Sequence, residues 1–290
     1  MILVTGAAGK TGSRVAKRLM ELGYSVRTAG RSQPRQPGAA GEHVYFDWND
    51  AGTYEAALQG VDAVYLVGPL MVMEPEKMML PFLELAWKAG VRRAVLLSSA
   101  SVPEGGPVFG QVHRALRESA PEWAVLQPSY FMQNFTEGPH GAAIREGGDL
   151  VTAAGEGRVA FVDADDIAEV AVRALTDPEP HNTAHVITGP EALTYSEAAQ
   201  LLSREAGRAV RHLSISPGEL QARWMEMGMP ADYAGFMAGL DEGIRDRGAE
   251  SRVTDTVERV TGRPPRSLEA FLSRANGRTE RSAAERTAAV

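Results

Sequence analysis

The stretch that most constrains this chain is residues 1–12, MILVTGAAGKTG. Ile2, Leu3 and Val4 form a short apolar run that ends in Thr5-Gly6. Val15, Leu19 and Leu22 then recur at helical steps until Gly23 stops the pattern. A buried strand, a glycine turn and a helix start, in that order, form a phosphate-binding crossover. Glycines let the backbone approach a pyrophosphate, and the helix start turns unpaired N–H groups and a partial positive charge toward the anion. The spacing is Gly6-x-x-Gly9-x-x-Gly12, not the G-x-G-x-x-G of the commonest dinucleotide turn. Gly9-Lys10-Thr11 has the look of a Walker loop, but that loop needs glycine where Val4 stands. An ordinary tight turn is the plainer alternative. The position of the triplet, directly after the first strand and opening a helix, favours the phosphate reading.

The rest of the chain repeats the alternation. Strand patterns fall over residues 24–29, 44–46, 61–67, 93–97 and 124–126, with helical patterns over 54–58, 71–89 and 112–118. This spacing predicts an α/β protein with a Rossmann-like, doubly wound parallel sheet. Right-handed crossovers then bring the strand ends to one rim, where ligands bind. From about residue 129 the alternation loosens, which predicts a smaller C-terminal substrate lobe. The expected division is a nucleotide-binding domain over 1–135, with 160–190 returning to it, and a lobe from 136–159 and 191–275. Residues 276–290 are small and polar and are expected to be a disordered tail. Thr194-x-x-Glu197 and Ser216-x-x-Glu219 are capping boxes, the second with Pro217 at the first helical position. Asp165 or Asp166 starts another helix. Asp163, Asp165 and Asp166 could be read as an acid cluster, but capping and the helix dipole explain them more simply.

Composition removes several classes of function. A formal charge of −7 leaves no electrostatic footprint for nucleic acid or an anionic membrane. The chain has no cysteine, hence no disulfide, thiolate nucleophile or zinc–thiolate site. No apolar run approaches the ~20 residues of a membrane span, and the N-terminus has no basic segment of a signal peptide, so a cytoplasmic location is expected. The six histidines are scattered without metal-ligand spacing, so no metal is expected. Ser98-Ser99-Ala100-Ser101 lacks the flanking glycines of a nucleophile elbow.

The end of the second strand speaks to the nucleotide. An NAD site places a carboxylate there for the ribose hydroxyls. None occurs between Glu21 and Glu42, whereas Arg27, Arg31 and Arg35 do. Guanidinium suits a 2′-phosphate and gains nothing from a bare hydroxyl. NADPH is therefore expected over NADH, the alternative being that these arginines are solvated loop residues.

The order of motifs resembles the NmrA-like branch of the atypical short-chain dehydrogenase/reductase family. The resemblance is carried by VTGAAGKTG, Gly30-Arg31, Phe46-Asp47-Trp48, VDAVYLVGP, VRRAVLLSSAS, QPSYFMQNF and FVDADDIAEVA, and by residues 253–271 with their TGRPPRS run. It covers about residues 1–275. It implies that Gly6, Ala8, Gly9, Lys10, Thr11 and Gly12 hold the pyrophosphate, with Lys10 and Thr11 reaching its oxygens or the 2′-phosphate, and that Arg31 and Ser32 hold the 2′-phosphate. Asp47 and Trp48 would meet the adenine edge, and Val67, Gly68 and Pro69 the nicotinamide-side ribose. Ser98, Ser99, Pro128, Tyr130 and Phe131 would flank the nicotinamide.

One departure bears on chemistry. Short-chain dehydrogenases protonate the substrate oxygen with a tyrosine whose pKa is lowered by a lysine four residues on. The matching positions here are Phe109 and His113, so the spacing survives and the hydroxyl is gone. His113 is a candidate for holding the ribose or donating a proton, or else a surface helical histidine. Tyr130 is the other candidate donor, or else an aromatic of the pocket wall. Trp224, Met225, Met227, Met229, Phe236 and Met237 read as the lining of an apolar pocket or as lobe core. The leading expectation is an NADPH-dependent reductase of a hydrophobic electrophile (quinone, iminium or enone) that works without the usual dyad. The alternatives are a dinucleotide sensor with little catalysis and a non-redox cyclase or isomerase on the same fold. A homodimer is left open.

Overall fold

The apolar run at the N-terminus becomes an interior strand of the sheet. In chain order the elements are β1 (Ile2–Thr5), α1 (Gly12–Glu21), β2 (Val26–Gly30), β3 (Glu42–Tyr45), α2 (Tyr54–Leu58), β4 (Ala63–Leu66), α3 (Glu76–Lys88), β5 (Arg93–Leu97), α4 (Gly110–Ser119) and β6 (Glu122–Pro128). The chain continues with α5 (Gly138–Arg145), β7 (Leu150–Thr152), β8 (Arg158–Val159), α6 (Ala164–Thr176), β9 (Thr183–Ile187), β10 (Leu193–Thr194), α7 (Tyr195–Ala206), β11 (His212–Ser214), α8 (Pro217–Glu226), α9 (Ala231–Arg247) and α10 (Thr256–Thr261). This computed structural model describes residues 1–32 and 41–275, so the expectations for Arg35 and for the 276–290 tail lie outside the described residues. The chain divides into two compact units. Unit 1 is Met1–Pro128, Ala164–Ile187 and Thr256–Arg263, and unit 2 is Ser129–Asp163, Thr188–Asp255 and the segment from Pro264 on.

Unit 1 contains a seven-stranded sheet in the order β3-β2-β1-β4-β5-β6-β9, parallel throughout. The doubly wound parallel sheet read from the sequence is therefore the fold. β1 pairs with β2 on one side and β4 on the other, so the order reverses beside it and the ligand crevice of such sheets opens at its C-terminal end. Side chains alternate across a strand. Leu3 accordingly joins a core with Phe46, Tyr54, Leu58, Met79, Phe82, Val112 and Leu116 under α2, α3 and α4. On the other face α1 and α6 pack together, burying Val15 and Leu19 with Ile167, Val170 and Ala171.

The helix expected within 71–89 runs from Glu76 to Lys88, with Pro75 at its N-cap. Pro75 fixes one backbone angle and disfavours helix at the residue before it. Pro81 sits inside α3 without ending it.

A buried histidine at the α6–β9 corner gives unit 1 an acid-sensitive point. His181 Nδ1 lies 2.8 Å from His185 Nε2, and His181 Nε2 lies 3.1 Å from Asp177 Oδ2, which also pairs with Arg173. Burial, then the neighbouring His181 and Arg259, push the His185 imidazole down to about 4. In the unfolded chain it titrates near 6.5, so between those values the unfolded state binds more protons. Stability should be intact above about pH 6.5 and fall as pH drops toward 4, by on the order of 2–3 kcal/mol. Denaturant titrations across this range should show the fall, and His185→Gln should flatten it. An equally steep fall in the variant would assign the loss to other groups.

Unit 2 carries two small sheets, β7 with β11 in parallel and β8 with β10 antiparallel. Both expected capping boxes form: the Thr194 and Ser216 side chains accept the N–H groups of Glu197 and Glu219, whose carboxylates return the bond. The core gathers Met132, Phe135, Phe161, Tyr195, Leu202 and Ile244, with Leu268, Phe271 and Leu272 from a closing helical run over 268–275. Fully buried Asp163 accepts Gln133 Nε2 at 2.7 Å, Arg266 at 2.9 Å and Arg274 at 3.3 Å. Asp165, by contrast, pairs with Arg14 at 2.6 Å in unit 1. The aspartates of this segment thus serve separate structural ends.

Candidate functional site

The turn after β1 is shaped by close backbone approach. Gly6 has φ +60, and a Cβ there would stand 2.7 Å from Val67 Cβ. A Cβ on Gly12 would meet the Gly6 carbonyl, at 2.7 Å from its carbon and closer still to its oxygen. Gly9 N–H donates to Gly6 O at 2.8 Å, and a Cβ on Gly9 would lie 3.1 Å from that oxygen. The cradle is thus one that side chains would fill. In the first turn of α1, which begins at Gly12, Ser13 N–H donates to Gly9 O at 3.2 Å and Val15 N–H to Thr11 O at 2.9 Å, so the turn runs straight into the helix. Thr11 is buried at the helix start, Lys10 and Ala8 lie toward solvent, and Arg14 donates to the Lys10 carbonyl at 2.6 Å. These features fit a dinucleotide pyrophosphate.

The end of β4 is pinned from both sides. Val67 N–H donates to Thr5 Oγ1 at 2.8 Å, and Trp48 Nε1 donates to Val67 O at 3.0 Å. Trp48 therefore spends its one polar atom on the scaffold. Its ring packs among Phe46, Tyr54 and Phe82, which leaves it only a ring face to offer a nucleotide. Asp47 is bonded through Oδ1 to the N–H and side-chain amide of Asn49. The Asn49 backbone N–H chiefly, and the charge of Arg31 to a lesser degree, hold its carboxyl below the usual range. Arg31 and Ser32 are exposed at the bend after β2. Arg27 leaves the set of candidates for a 2′-phosphate. It is buried in the strand, where it pairs with Glu42 at 2.9 Å and donates to the carbonyls of Ala57 and Gln59.

Phe109 is half-buried at the start of α4, and its ring lies on Gly68. A Cβ on Gly68 would stand 2.9 Å from Phe109 Cζ and from Met79 Sδ. Val108 before it has φ +54, a conformation that β-branched residues avoid. His113, one turn further, is no surface histidine. It is 4% exposed and its ring is tilted 5.9 Å from that of Trp123. Burial lowers its pKa, and its Nδ1 has no partner. Ser98 follows β5 with a buried Oγ that likewise has no partner, while Ser99 Oγ accepts the N–H of Ser101. Pro128 ends β6, its carbonyl accepting Ala100 N–H at 2.9 Å. Pro69 is buried just past Gly68. Unit 1 thus brings together the turn, Asp47, Trp48, Val67 and Gly68. Tyr130 and Phe131 belong to unit 2, where Tyr130 O accepts Val162 N–H at 3.0 Å and Phe131 bridges to Val162.

Sequence reasoning missed Asp241, which accepts the Tyr130 hydroxyl at 3.2 Å. The signal was there. Asp241 shares a helical stripe with Met237 and Ile244, an unusual place for a carboxylate. Among the described residues, no group of three or more His, Asp or Glu is arranged to hold a metal ion. Likewise, no helix is long and apolar enough to cross a membrane.

A parallel doubly wound sheet with a glycine cradle at its switch point defines an NAD(P)-binding protein of Rossmann type. Comparison then places it. The description "NmrA-like family" matches residues 1–272, and the chain belongs to that family. It is 54% identical to the uncharacterized oxidoreductase YesF of Bacillus subtilis (strain 168), over 94% of each chain. It is 38% identical to the agroclavine dehydrogenase of Claviceps fusiformis, over 94% of this chain and 96% of that one. It is 37% identical to the NAD(P)H azoreductase of Xenophilus azovorans, over 93% and 96%. Its fold is that of the NADPH-dependent quinone oxidoreductase QOR2 of Escherichia coli solved with NADPH. The TM-score is 0.77 at 23% identity, covering 95% of this chain and 99% of that one. The protein is an oxidoreductase that uses a nicotinamide cofactor.

Proposed function

We propose that this protein is an NADPH-dependent reductase of a hydrophobic electrophile, a quinone, iminium or conjugated enone, working without a tyrosine–lysine dyad. The observation that carries the reading is Phe109, whose ring covers Gly68 at the end of β4. By the family resemblance it stands where the tyrosine would, four residues before His113, and it has no proton to give. An alkoxide from a simple ketone must be protonated as it forms, so such ketones are the substrates this arrangement suits least. The relatives named for an azo substrate and for agroclavine support a small organic acceptor.

Bound NADPH supplies a hydride from its nicotinamide. Gly6, Ala8, Gly9, Lys10, Thr11 and Gly12 would hold its pyrophosphate through backbone N–H groups and the Lys10 charge, and Arg31 with Ser32 its 2′-phosphate. Ser98 Oγ and His113 Nδ1, buried without partners, are groups in want of a hydrogen bond on the nicotinamide side. The test is loss of the nicotinamide absorbance band across a panel of quinones, iminium ions, enones and simple ketones. Turnover confined to the first three classes is expected. Ketones as fast as quinones would overturn the reading, and tight NADPH binding with every class inert would favour a sensor.

Cofactor preference tests the exposed guanidinium. NADPH should bind at least tenfold more tightly than NADH, about 1.4 kcal/mol, from one charge-assisted contact at Arg31. Titration by tryptophan fluorescence should show this difference in the parent and its loss in Arg31→Ala. Equal affinities in the parent would sink the assignment.

A further inference from the structure

Unit 2 holds a polar pair whose carboxylate no binding role accounts for. Tyr130 keeps part of its surface exposed, while its hydroxyl lies 3.2 Å from Oδ1 of Asp241, which is 4% exposed on α9. The other Asp241 oxygen accepts the N–H of Ala153 at 2.9 Å. A carboxylate buried on an apolar stripe is expensive, and an apolar side chain of similar volume would often serve stability as well. Burial holds the Asp241 carboxyl above its usual range, against the lowering by Ala153 N–H and the Tyr130 hydroxyl. The other titratable groups facing the pair are Tyr195 on α7 and Glu250 beyond α9, both buried. Burial first, then Asp241, also pushes the Tyr130 hydroxyl well above its ordinary range. A tyrosinate beside these carboxylates is therefore the form the cluster opposes, whereas a neutral tyrosine refilled from behind is not. In the chain Tyr130 follows Pro128, the last residue of β6, by two positions.

We propose that Asp241 is a positioning residue and proton reservoir for Tyr130, which lets the reductase protonate the enolate of a conjugated enone, whose oxygen lies two carbons away from the carbon that takes the hydride and not on it as in a simple ketone. This rests on the reductase reading. For a conjugated enone, the β-carbon gains a hydride as NADPH is oxidised to NADP⁺, and the C=C pair moves to give an enolate. The Tyr130 O–H bond breaks and its proton goes to the enolate oxygen. The carboxyl proton of Asp241 passes to Tyr130 Oη, which ends neutral. Asp241 ends as a carboxylate held by Ala153 N–H, and water returns its proton. An iminium or triarylmethyl cation becomes neutral on taking a hydride and needs no proton.

The experiment compares a cyclic enone with a triarylmethyl cation dye in the parent, Tyr130→Phe and Asp241→Asn. Both substitutions should lower kcat for the enone about a hundredfold, a far larger loss than for the dye, whose product needs no proton. The parent's enone kcat should fall as pH rises through the Asp241 titration, a limb absent in Asp241→Asn. A solvent deuterium isotope effect should appear with the enone alone, a reading that needs no variant. In the cofactor-free protein, carboxyl ¹³C resonances should show Asp241 titrating above the usual range and higher still in Tyr130→Phe, which lacks the hydroxyl that lowers it. Equal losses for both substrates, an unchanged enone rate or an ordinary Asp241 titration would overturn the relay alone. A parent that binds NADPH and reduces neither substrate overturns the reductase reading, and the relay with it.

Discussion

Gly12→Val is expected to abolish cofactor binding, weakening NADPH at least a thousandfold, about 4 kcal/mol. A Cβ at this position collides with the Gly6 carbonyl, and backbone cannot swing aside as a flexible side chain can. The turn must open, which moves the N–H groups of α1 away from the pyrophosphate and strains the close approach of Gly6 to Val67. Gly9→Ala, whose Cβ would be 3.1 Å from Gly6 O, should lose far less. Gly23→Ala, with nothing near its Cβ, serves as a control that changes stability but not affinity. Fluorescence titration of NADPH across the three variants gives the order. Wild-type affinity in Gly12→Val would show that the turn does not carry the pyrophosphate.

Asp163→Ala should destabilise unit 2. It removes the carboxylate from Arg266 and Arg274, which keep part of their surface in solvent, and from the buried amide of Gln133, whose lost acceptor costs about 1–3 kcal/mol. The melting temperature should fall by roughly 5 °C. Asp163→Asn keeps one acceptor oxygen and should lose about half as much. Calorimetry on the three proteins checks the order. A drop of less than about 2 °C in Asp163→Ala would mean that these hydrogen bonds contribute little.

Where residues act through neighbours in sequence, the chain could be read directly. The glycine spacing, the two capping boxes and the alternation of strands with helices are local signals, because backbone conformation and period follow from adjacent side chains. The glycine turn was legible for the same reason, since β1, the turn and α1 are contiguous. Arg27 shows where this stops. It and Arg31 look alike in the sequence, yet Arg27 lies inside β2 with carbonyls from around α2 within reach, while Arg31 stands past the strand end in solvent.

By itself the sequence determined the family, the parallel α/β class and the crevice at the end of β1. Only the tertiary structure decided that Phe109 covers Gly68, that Trp48 spends its N–H on Val67, and that His113 is buried. It also joined Tyr130 to a carboxylate 111 positions away and Asp163 to arginines 103 and 111 positions away. The reason is physical. Local sequence sets backbone angles and which face is apolar, but the partner of a buried polar group is whatever donor or acceptor the completed packing brings within about 3 Å.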